Sequence, residues 1–183
     1  MIQRAALLLI LCCATGAAQA AAAADADLAA LMQTLNKGSM GAASAAMLVN
    51  EAPALKVLPE ADRQCALSTL QSLLQRQARQ SVINSLGSDG DMVIAEWTRF
   101  LATPSGKGYL IMTGALPESA ADASVDAQDE AYAAAFETFL GGAPFARLNA
   151  AFDAMSAPDD MMVQLTQGLQ DQCRIALKPD DIS

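Results

Sequence analysis

The sequence predicts an all-α protein, a single compact domain over residues 21–183 with about seven to nine helices that pair as helical hairpins. Two observations on composition and one on pattern lead to this prediction. The chain is rich in Ala, Leu and Gln, which favour helix, whereas Val and Ile are too sparse to build a large sheet. Apolar side chains recur three or four residues apart, and Pro and Gly divide the chain into blocks of helical length.

The first twenty residues have the features of a secretory signal peptide. Arg4 precedes an apolar run from Ala5 to Ala14, and the small residues Ala18 and Ala20 stand at the recognition positions of a cleavage site. The apolar run of about 10 residues is too short to cross a bilayer, which requires about 20. We therefore expect cleavage after Ala20 and a periplasmic or secreted protein.

Removal of this signal peptide leaves two of the four cysteines, Cys65 and Cys173. In an oxidising compartment, two remaining cysteines are expected to pair, so the sequence predicts a disulfide between them. We expect a structural rather than a redox role, because there is no Cys-x-x-Cys spacing. The alternative is a lipidated N-terminus at Cys12 or Cys13, which the large Leu11 before Cys12 disfavours.

The chain is acidic and contains no histidine. Its 20 Asp and Glu against 11 Lys and Arg give a formal net charge of −9. Nucleic acids and anionic lipids require clustered basic residues, so we expect no nucleic-acid partner and no membrane anchor after signal removal. The lack of His excludes Ser-His-Asp and Cys-His catalytic sites and His-dependent zinc sites. We expect no cofactor.

The elements of the first half are bounded by caps, prolines and glycines. Asp25 suits a helix start, Gly38 and Gly87 suit helix ends, and Pro59 suits the position before a long helix. The predicted elements are a first helix from Asp25 to the stop at Asn36-Lys37-Gly38, a second from about Met40 to Asn50, a connector from Glu51 to Pro59 with Leu55, Val57 and Leu58 turned inward, and an amphipathic helix from Glu60 to Leu86.

The elements of the second half are bounded by residues of the same kinds. Ser88-Asp89-Gly90-Asp91 is a turn and cap, Thr103-Pro104 interrupts a helix, and Gly141-Gly142 ends another. The predicted helices after the turn run to Leu101, from Ser105 to about Leu116, from Val125 to Leu140, from Pro144 to Met155, and along a last stripe from Met162 through Cys173 to Ala176, with Cys173 facing the core.

Phe100, Thr103, Pro104 and Gly106 form a helix-break motif. Thr103 can cap a helix, and Pro104 can take the first helical position, where no amide donor is needed. Gly106 allows close approach of the chain. We interpret the motif as structural, because it ends one helix, starts the next and lets their apolar side chains pack together. The side chains predicted to pack across it are Trp97, Phe100, Leu101, Tyr109 and Leu110.

The segment FLATPSGKGYL, Phe100 to Leu110, is similar to the signature of an exported bacterial helical family, domain of unknown function 2059. An aromatic helix end, a small residue, Thr-Pro-x-Gly and a basic helix restart carry this resemblance, which extends over roughly Ser85 to Ala120. Thr113-Gly114-Ala115 departs from the longer helix expected there. The resemblance implies an all-helical periplasmic domain, and it implies no catalytic residue because the family has no established activity.

Residues 97–107 and 136–147 share a pattern that suggests a weak internal repeat. Each segment has an aromatic residue, Phe-Leu three residues later, a break of small residues, Pro and then a basic residue. A true repeat would give two helix–break–helix hairpins. Chance similarity is an equally open explanation.

Ser105-Gly106-Lys107-Gly108 superficially resembles a phosphate-binding loop. It lacks the upstream Gly, the Ser or Thr after Lys107 and the preceding strand that such a loop requires. We favour a capped helix break, and a small anion bound by exposed amides at the restarted helix is the alternative.

Composition and motifs favour a non-enzymatic module that binds a partner protein or a small apolar ligand. The alternative is a carboxylate-dependent hydrolase such as a glycosidase, because Asp and Glu are plentiful. The carboxylates concentrate in turns and helix starts, as at Asp89/Asp91, Asp159/Asp160 and Asp180/Asp181, where solvated caps are the simpler explanation. A sugar cleft would also be expected to contain more than the single Trp of this chain. No catalytic residue is predicted.

Met161 and Met162, with Met155 close by, raise the possibility of a copper(I) site, because a thioether is a soft ligand. The same residues fit a helix start and the filling of a core by flexible side chains. There is neither a His nor a repeated Met-x-x-Met array. We therefore predict core packing and no metal site.

Overall fold

The computed structural model describes residues 24–117, 119 and 130–182. These residues form α-helices and short 3₁₀ turns without a strand, which confirms the predicted all-α class for this part of the chain. The predicted signal peptide, its cleavage site and the predicted helix start at Val125 lie outside the described residues. Within the same ranges, no helix is both long enough and apolar enough to cross a membrane.

The helices are labelled in chain order. The described part of α1 covers residues 24–34. The helices that follow are α2 (Met40–Glu51), α3 (Pro53–Lys56), α4 (Glu60–Leu86), α5 (Gly90–Leu101), α6 (Pro104–Met112), α7 (Glu130–Leu140), α8 (Ala143–Asp153) and α9 (Met161–Cys173). Short 3₁₀ turns at Gly87–Asp89 and Pro179–Asp181 precede α5 and follow α9. The predicted bounds of the second and the longest helix agree with α2 and α4 to within one residue.

The chain forms two compact units. One unit, here called the aromatic unit, consists of Met1–Leu31 and Leu86–Leu148. The other, called the disulfide unit, consists of Met32–Ser85 and Asn149–Ser183. The unit boundaries therefore fall within α1, near the end of α4 and within α8.

The disulfide unit is built on the long helix α4. Ala66, Leu70 and Leu74 are four residues apart, so they lie on one face of this helix and are buried. They belong to a core cluster to which α2, α3, α9 and the C-terminal segment also contribute. The cluster consists of Ala45, Val49, Ala52, Leu55, Ala66, Leu70, Leu74, Leu165, Leu169, Ile175 and Ile182. Cys65 of α4 and Cys173 at the end of α9 are bonded, as the sequence predicted.

The aromatic unit contains two helix–break–helix segments. α5 and α6 flank the break at Ala102–Thr103, and α7 and α8 flank the break at Gly141–Gly142. The buried side chains of α5 recur three or four residues apart, which explains why this segment is a helix with one inward face. They are Val93, Ile94, Trp97, Phe100 and Leu101. Both segments of the suggested repeat therefore have the same local form, and their common origin stays a hypothesis.

The ends of α1 and α6 differ from the prediction. After α1, the residue with left-handed backbone is Asn36, with φ 57°, and not the expected Gly38. The amides of Lys37 and Gly38 then donate to the Met32 carbonyl at 2.7 and 3.1 Å, and Asn tolerates this conformation better than most residues. α6 ends at Met112 rather than near Leu116, because Gly114 turns the chain with φ 72°.

The predicted connector before α4 contains a short helix, α3, and this changes the position of one side chain. Leu55 is buried, but Val57 is 82% exposed, so the prediction that Val57 turns inward was wrong. Residues two apart in helical geometry lie on opposite sides of the axis, and Val57 continues α3 with helical dihedrals. At the C-terminus, α9 ends at Cys173 and Arg174 turns the chain with φ 61°, which leaves Ala176 exposed and outside the predicted stripe.

Candidate functional site

Hydrogen bonds within the helix-break motif connect the end of α5 to the start of α6. The Thr103 hydroxyl accepts a hydrogen bond from the Gly106 amide at 3.1 Å and donates one to the Phe100 carbonyl at 2.6 Å. Pro104 is the first residue of α6, where its missing amide hydrogen has no cost. The Lys107 amide donates to the Thr103 carbonyl at 3.0 Å. The motif therefore caps α6 and ties it to the end of α5.

The same hydrogen bonds show whether the amides at the start of α6 are available to bind an anion. Ser105 and Gly106 are buried, and the amides of Gly106 and Lys107 donate within the protein. An anion would need these amides to point toward solvent. The structure is thus that of a capped helix break, in which the Gly106 amide bonds the capping hydroxyl and the Lys107 amide makes the first helical hydrogen bond.

The aromatic side chains of the motif belong to a ring cluster. Trp97 is 1% exposed and Phe100 is 7% exposed. Phe100 stacks on Phe139 with ring centroids 3.7 Å apart, and the Trp97 indole amine donates to the Pro144 carbonyl at 3.0 Å. The rings in mutual contact are those of Trp97, Phe100, Tyr109, Tyr132, Phe136, Phe139 and Phe145. This cluster is the core of the aromatic unit and leaves Trp97 and Phe100 no free face for a ligand.

α6 and α7 contact each other at two points. The buried Ser105 hydroxyl donates to the Tyr132 carbonyl at 3.1 Å. A Cβ atom on Gly108 would overlap the Tyr132 hydroxyl, so the glycine leaves the space in which the end of the Tyr132 side chain packs against α6. The second glycine of Ser105-Gly106-Lys107-Gly108 therefore has a packing role.

An open groove between α1 and α5 is the best candidate for binding in the aromatic unit. It has a volume of about 720 Å³. Its walls are Ala24, Asp27, Ala30, Asp91, Ile94, Ala95, Thr98, Arg99 and Ala102. Asp91, Ala95 and Thr98 of α5 and its C-cap Ala102 are spaced by four, three and four residues, so they lie along one face of the helix. Small side chains on both walls keep the groove open.

The polar groups of this groove are exposed to solvent. Asp27, Asp91 and Arg99 line it, and all three are exposed. A general acid in a glycosidase depends on burial in an apolar site that raises its pKa. The two carboxylates share a groove, but their exposure does not provide that environment.

The turn before α5 holds an ion pair that the sequence did not predict. The guanidinium of Arg147 donates to the carboxylate of Asp89 and, at 3.2 Å, to the Leu86 carbonyl. The hydrogen bond from Arg147 and its positive charge hold the pKa of Asp89 below its ordinary value. Asp89 therefore joins α8 to the start of α5, where a solvated cap was expected. The sequence feature that could have indicated this ion pair is Arg147, the basic residue at the end of the second segment of the suggested repeat.

The surroundings of the disulfide agree with a structural link. Thr69, which is buried, lies one turn after Cys65, and its hydroxyl is 3.3 Å from Cys173 Sγ. The same hydroxyl lies 3.3 Å from the Gln172 side-chain oxygen. The two cysteines connect the first part of α4 to the last residue of α9.

The chain matches no protein-family model, and no curated protein or solved structure is significantly similar to it. The similarity of Phe100 to Leu110 to an exported helical family therefore stays a prediction. The choice of the groove between α1 and α5 as the candidate site rests on its shape and on the residues that line it.

Proposed function

We propose that this chain is an exported, non-enzymatic binding protein of the bacterial periplasm and that the groove between α1 and α5 holds a helical segment of a partner protein. The groove itself is the observation that carries the proposal. The signal-peptide pattern of the first twenty residues supports export. The segment from Phe100 to Leu110 resembles the domain of unknown function 2059, and this resemblance supports the proposal of a periplasmic helical protein.

Shape and charge both favour a helical segment as the occupant. An amphipathic helix binds in a groove through side chains one turn apart, and the alanines at positions 30, 95 and 102 leave room for larger side chains of a partner. Asp27 and Asp91 favour a basic flank on that segment. The net charge of −9 favours the approach of a basic partner from a distance.

Site-specific photo-crosslinking tests this proposal in the native compartment. A photoreactive residue at Ala95 is expected to give a discrete adduct with one protein, whereas the same residue at Ala134, which is exposed on α7, gives none. Ala102→Trp fills the groove and is expected to abolish the Ala95 adduct. An Ala95 adduct that survives Ala102→Trp, or equal adducts at both positions, would contradict the proposal.

Export has its own test. Mass analysis of the protein recovered from the periplasm is expected to show a chain that begins at Ala21 and carries no lipid. A chain that begins at Cys12 or Cys13 and carries acyl groups would show a lipoprotein instead.

The hydrolase alternative is supported by one observation, the presence of Asp27 and Asp91 in the same groove. Paired carboxylates across a cleft are the catalytic arrangement of glycosidases. Release of reducing sugar from periplasmic glycans by the purified protein, lost in both Asp27→Asn and Asp91→Asn, would favour this function. If no sugar is released and the Ala95 adduct forms, the binding function is favoured over the hydrolase.

A further inference from the structure

Three methionines from separate segments line one pocket of the disulfide unit. Met40 begins α2, Met155 follows α8 and Met161 begins α9. The pocket has a volume of about 190 Å³. Met40 is 39% exposed, and the other two side chains are half-buried. The walls of the pocket thus combine three thioethers that solvent can reach.

Core packing explains only part of this arrangement. Met161 and Met162 both pack against the core cluster of the disulfide unit, as the sequence predicted. Met40, however, is exposed, and together with Met155 and Met161 it lines a pocket that Met162 does not line. The sequence places Met40 more than a hundred residues from the other two, so only the fold shows that the three belong together.

The donor atoms of the pocket limit the kind of ion that it could hold. Among the described residues that line it, none is Asp, Glu, His, Cys, Lys or Arg. Calcium and magnesium need carboxylates, and structural zinc needs thiolate or imidazole. Thioether sulfur is a soft neutral ligand that selects Cu(I). The uncharged wall brings no second cation that would repel a bound one.

We propose that Met40, Met155 and Met161 form a binding site for a soft monovalent cation, Cu(I). The three side chains line the same pocket and have long flexible stems, which let their sulfur atoms adjust to a shared ion. The acidic chain as a whole attracts cations. The ion binds and leaves as Cu(I), without a change of oxidation state. The site is separate from the groove between α1 and α5.

The test uses Ag(I), which has the same ligand preference and is not oxidised in air. The full chain with its disulfide intact is alkylated, so that no free thiol competes, and its methionine methyl groups are labelled with ¹³C. Titration with silver nitrate is expected to shift the methyl resonances of Met40, Met155 and Met161 together, saturating at one ion per chain. Single Met→Leu variants assign these resonances.

Matched triple variants separate this site from general affinity of methionine for silver. Met40→Leu with Met155→Leu and Met161→Leu is expected to lose the saturable step and keep its thermal unfolding, because Met and Leu have similar volumes. The control carries Leu at three exposed methionines, Met47, Met92 and Met112, and is expected to bind as the parent does. Competition against a Cu(I) chelator without oxygen then extends the result to copper.

Shifts spread equally over exposed methionines, binding that never saturates, or loss of binding in the control variant would each overturn the proposal. If the site variant unfolds, the single variant Met40→Leu decides, because Met40 lies outside the core cluster. Unchanged binding in that variant would show that Met40 is not a ligand.

Discussion

At the residue scale, close approach of the helices depends on glycines that no hydropathy pattern marks. A Cβ atom on Gly106 would overlap the Phe100 carbonyl, and one on Gly41 would lie 2.8 Å from the Gln75 amide nitrogen. Both neighbours are backbone atoms and cannot move aside. A Cβ atom on Gly168 would meet only the end of the flexible Leu73 side chain. These glycines therefore differ in how much a methyl group would disturb the packing.

We expect Gly106→Ala to be destabilising and Gly168→Ala to be close to neutral. Alanine gains about 1 kcal/mol of helix propensity at either position. Overpacking against backbone costs about 1–3 kcal/mol or more at Gly106, whereas Leu73 can change rotamer beside Gly168. Urea unfolding of the two variants measures the difference. A Gly106→Ala variant as stable as the parent would contradict the close approach of α5 and α6.

The ion pair between Asp89 and Arg147 predicts a dependence of stability on pH. Because the folded state lowers the pKa of Asp89, the stabilising effect is present above the unfolded value of about 3.9 and is lost as the pH falls through the folded value. A double-mutant cycle with Asp89→Asn and Arg147→Gln measures the coupling by urea unfolding. The coupling is expected at pH 7 and should vanish in acid; coupling that persists in acid would contradict it.

Individual side chains were predictable from sequence where local chemistry decides their position. Thr103 and Pro104 have few alternatives at a helix start, and each of the two cysteines outside the predicted signal peptide has only the other as a partner. Val57 was not predictable, because its exposure depends on a four-residue helix with no marked hydropathy period. Asp89 was expected to be a solvated cap, because its partner Arg147 is 58 residues away in sequence and no local pattern indicates the pair.

At the scale of elements, helix interiors follow from periodicity, and helix ends follow from backbone conformation. α4 begins and ends where Pro59 and Gly87 predict. The ends of α1 and α6 depend on which residue adopts positive φ, and Asn36 and Gly114 take that role. Several neighbouring residues could do so, and hydrogen bonding after the helix selects among them. For this reason sequence predicts a helix better than its last turn.

The break between α5 and α6 predicts two different losses of stability. Thr103→Ala removes the cap of α6 and is expected to cost ~1 kcal/mol. Phe100→Ala removes a buried ring that stacks on Phe139 and is expected to cost ~3–5 kcal/mol. Thr113→Ala is the control for the first variant, since the Thr113 hydroxyl bonds only carbonyls at the end of α6.

Urea unfolding measures these losses. A Phe100→Ala variant with unchanged stability but lost capture of a partner would show that the rings form a binding surface. Equal losses in Thr103→Ala and Thr113→Ala would show that the cap has no special role.

At the scale of the whole molecule, both candidate sites combine segments that are distant in sequence. The groove joins α1 to α5, and the methionine pocket joins the starts of α2 and α9. Composition and spacing predicted the class of fold and the disulfide. They did not predict the groove, and for the methionine pocket they indicated Met155 and Met161 but not Met40, because each site exists only when helices more than fifty residues apart lie side by side.

The disulfide is expected to stabilise the chain strongly, since it closes a loop with a sequence separation of 108 residues. In the chain-entropy description, a loop of about 100 residues corresponds to about 4.7 kcal/mol. Cys65→Ala combined with Cys173→Ala should therefore lower the free energy of unfolding by several kcal/mol in urea. The protein prepared without reductant should contain no thiol that labels at either position. Quantitative labelling of both would contradict the link.

The same bond makes the chain from Cys65 to Cys173 a covalent ring. The ring includes the whole of Leu86–Leu148, the larger part of the aromatic unit. A single cut by a protease anywhere in the ring therefore opens it without releasing a fragment, and the two pieces separate only when the bond is reduced. The bond would thus keep a nicked molecule in one piece.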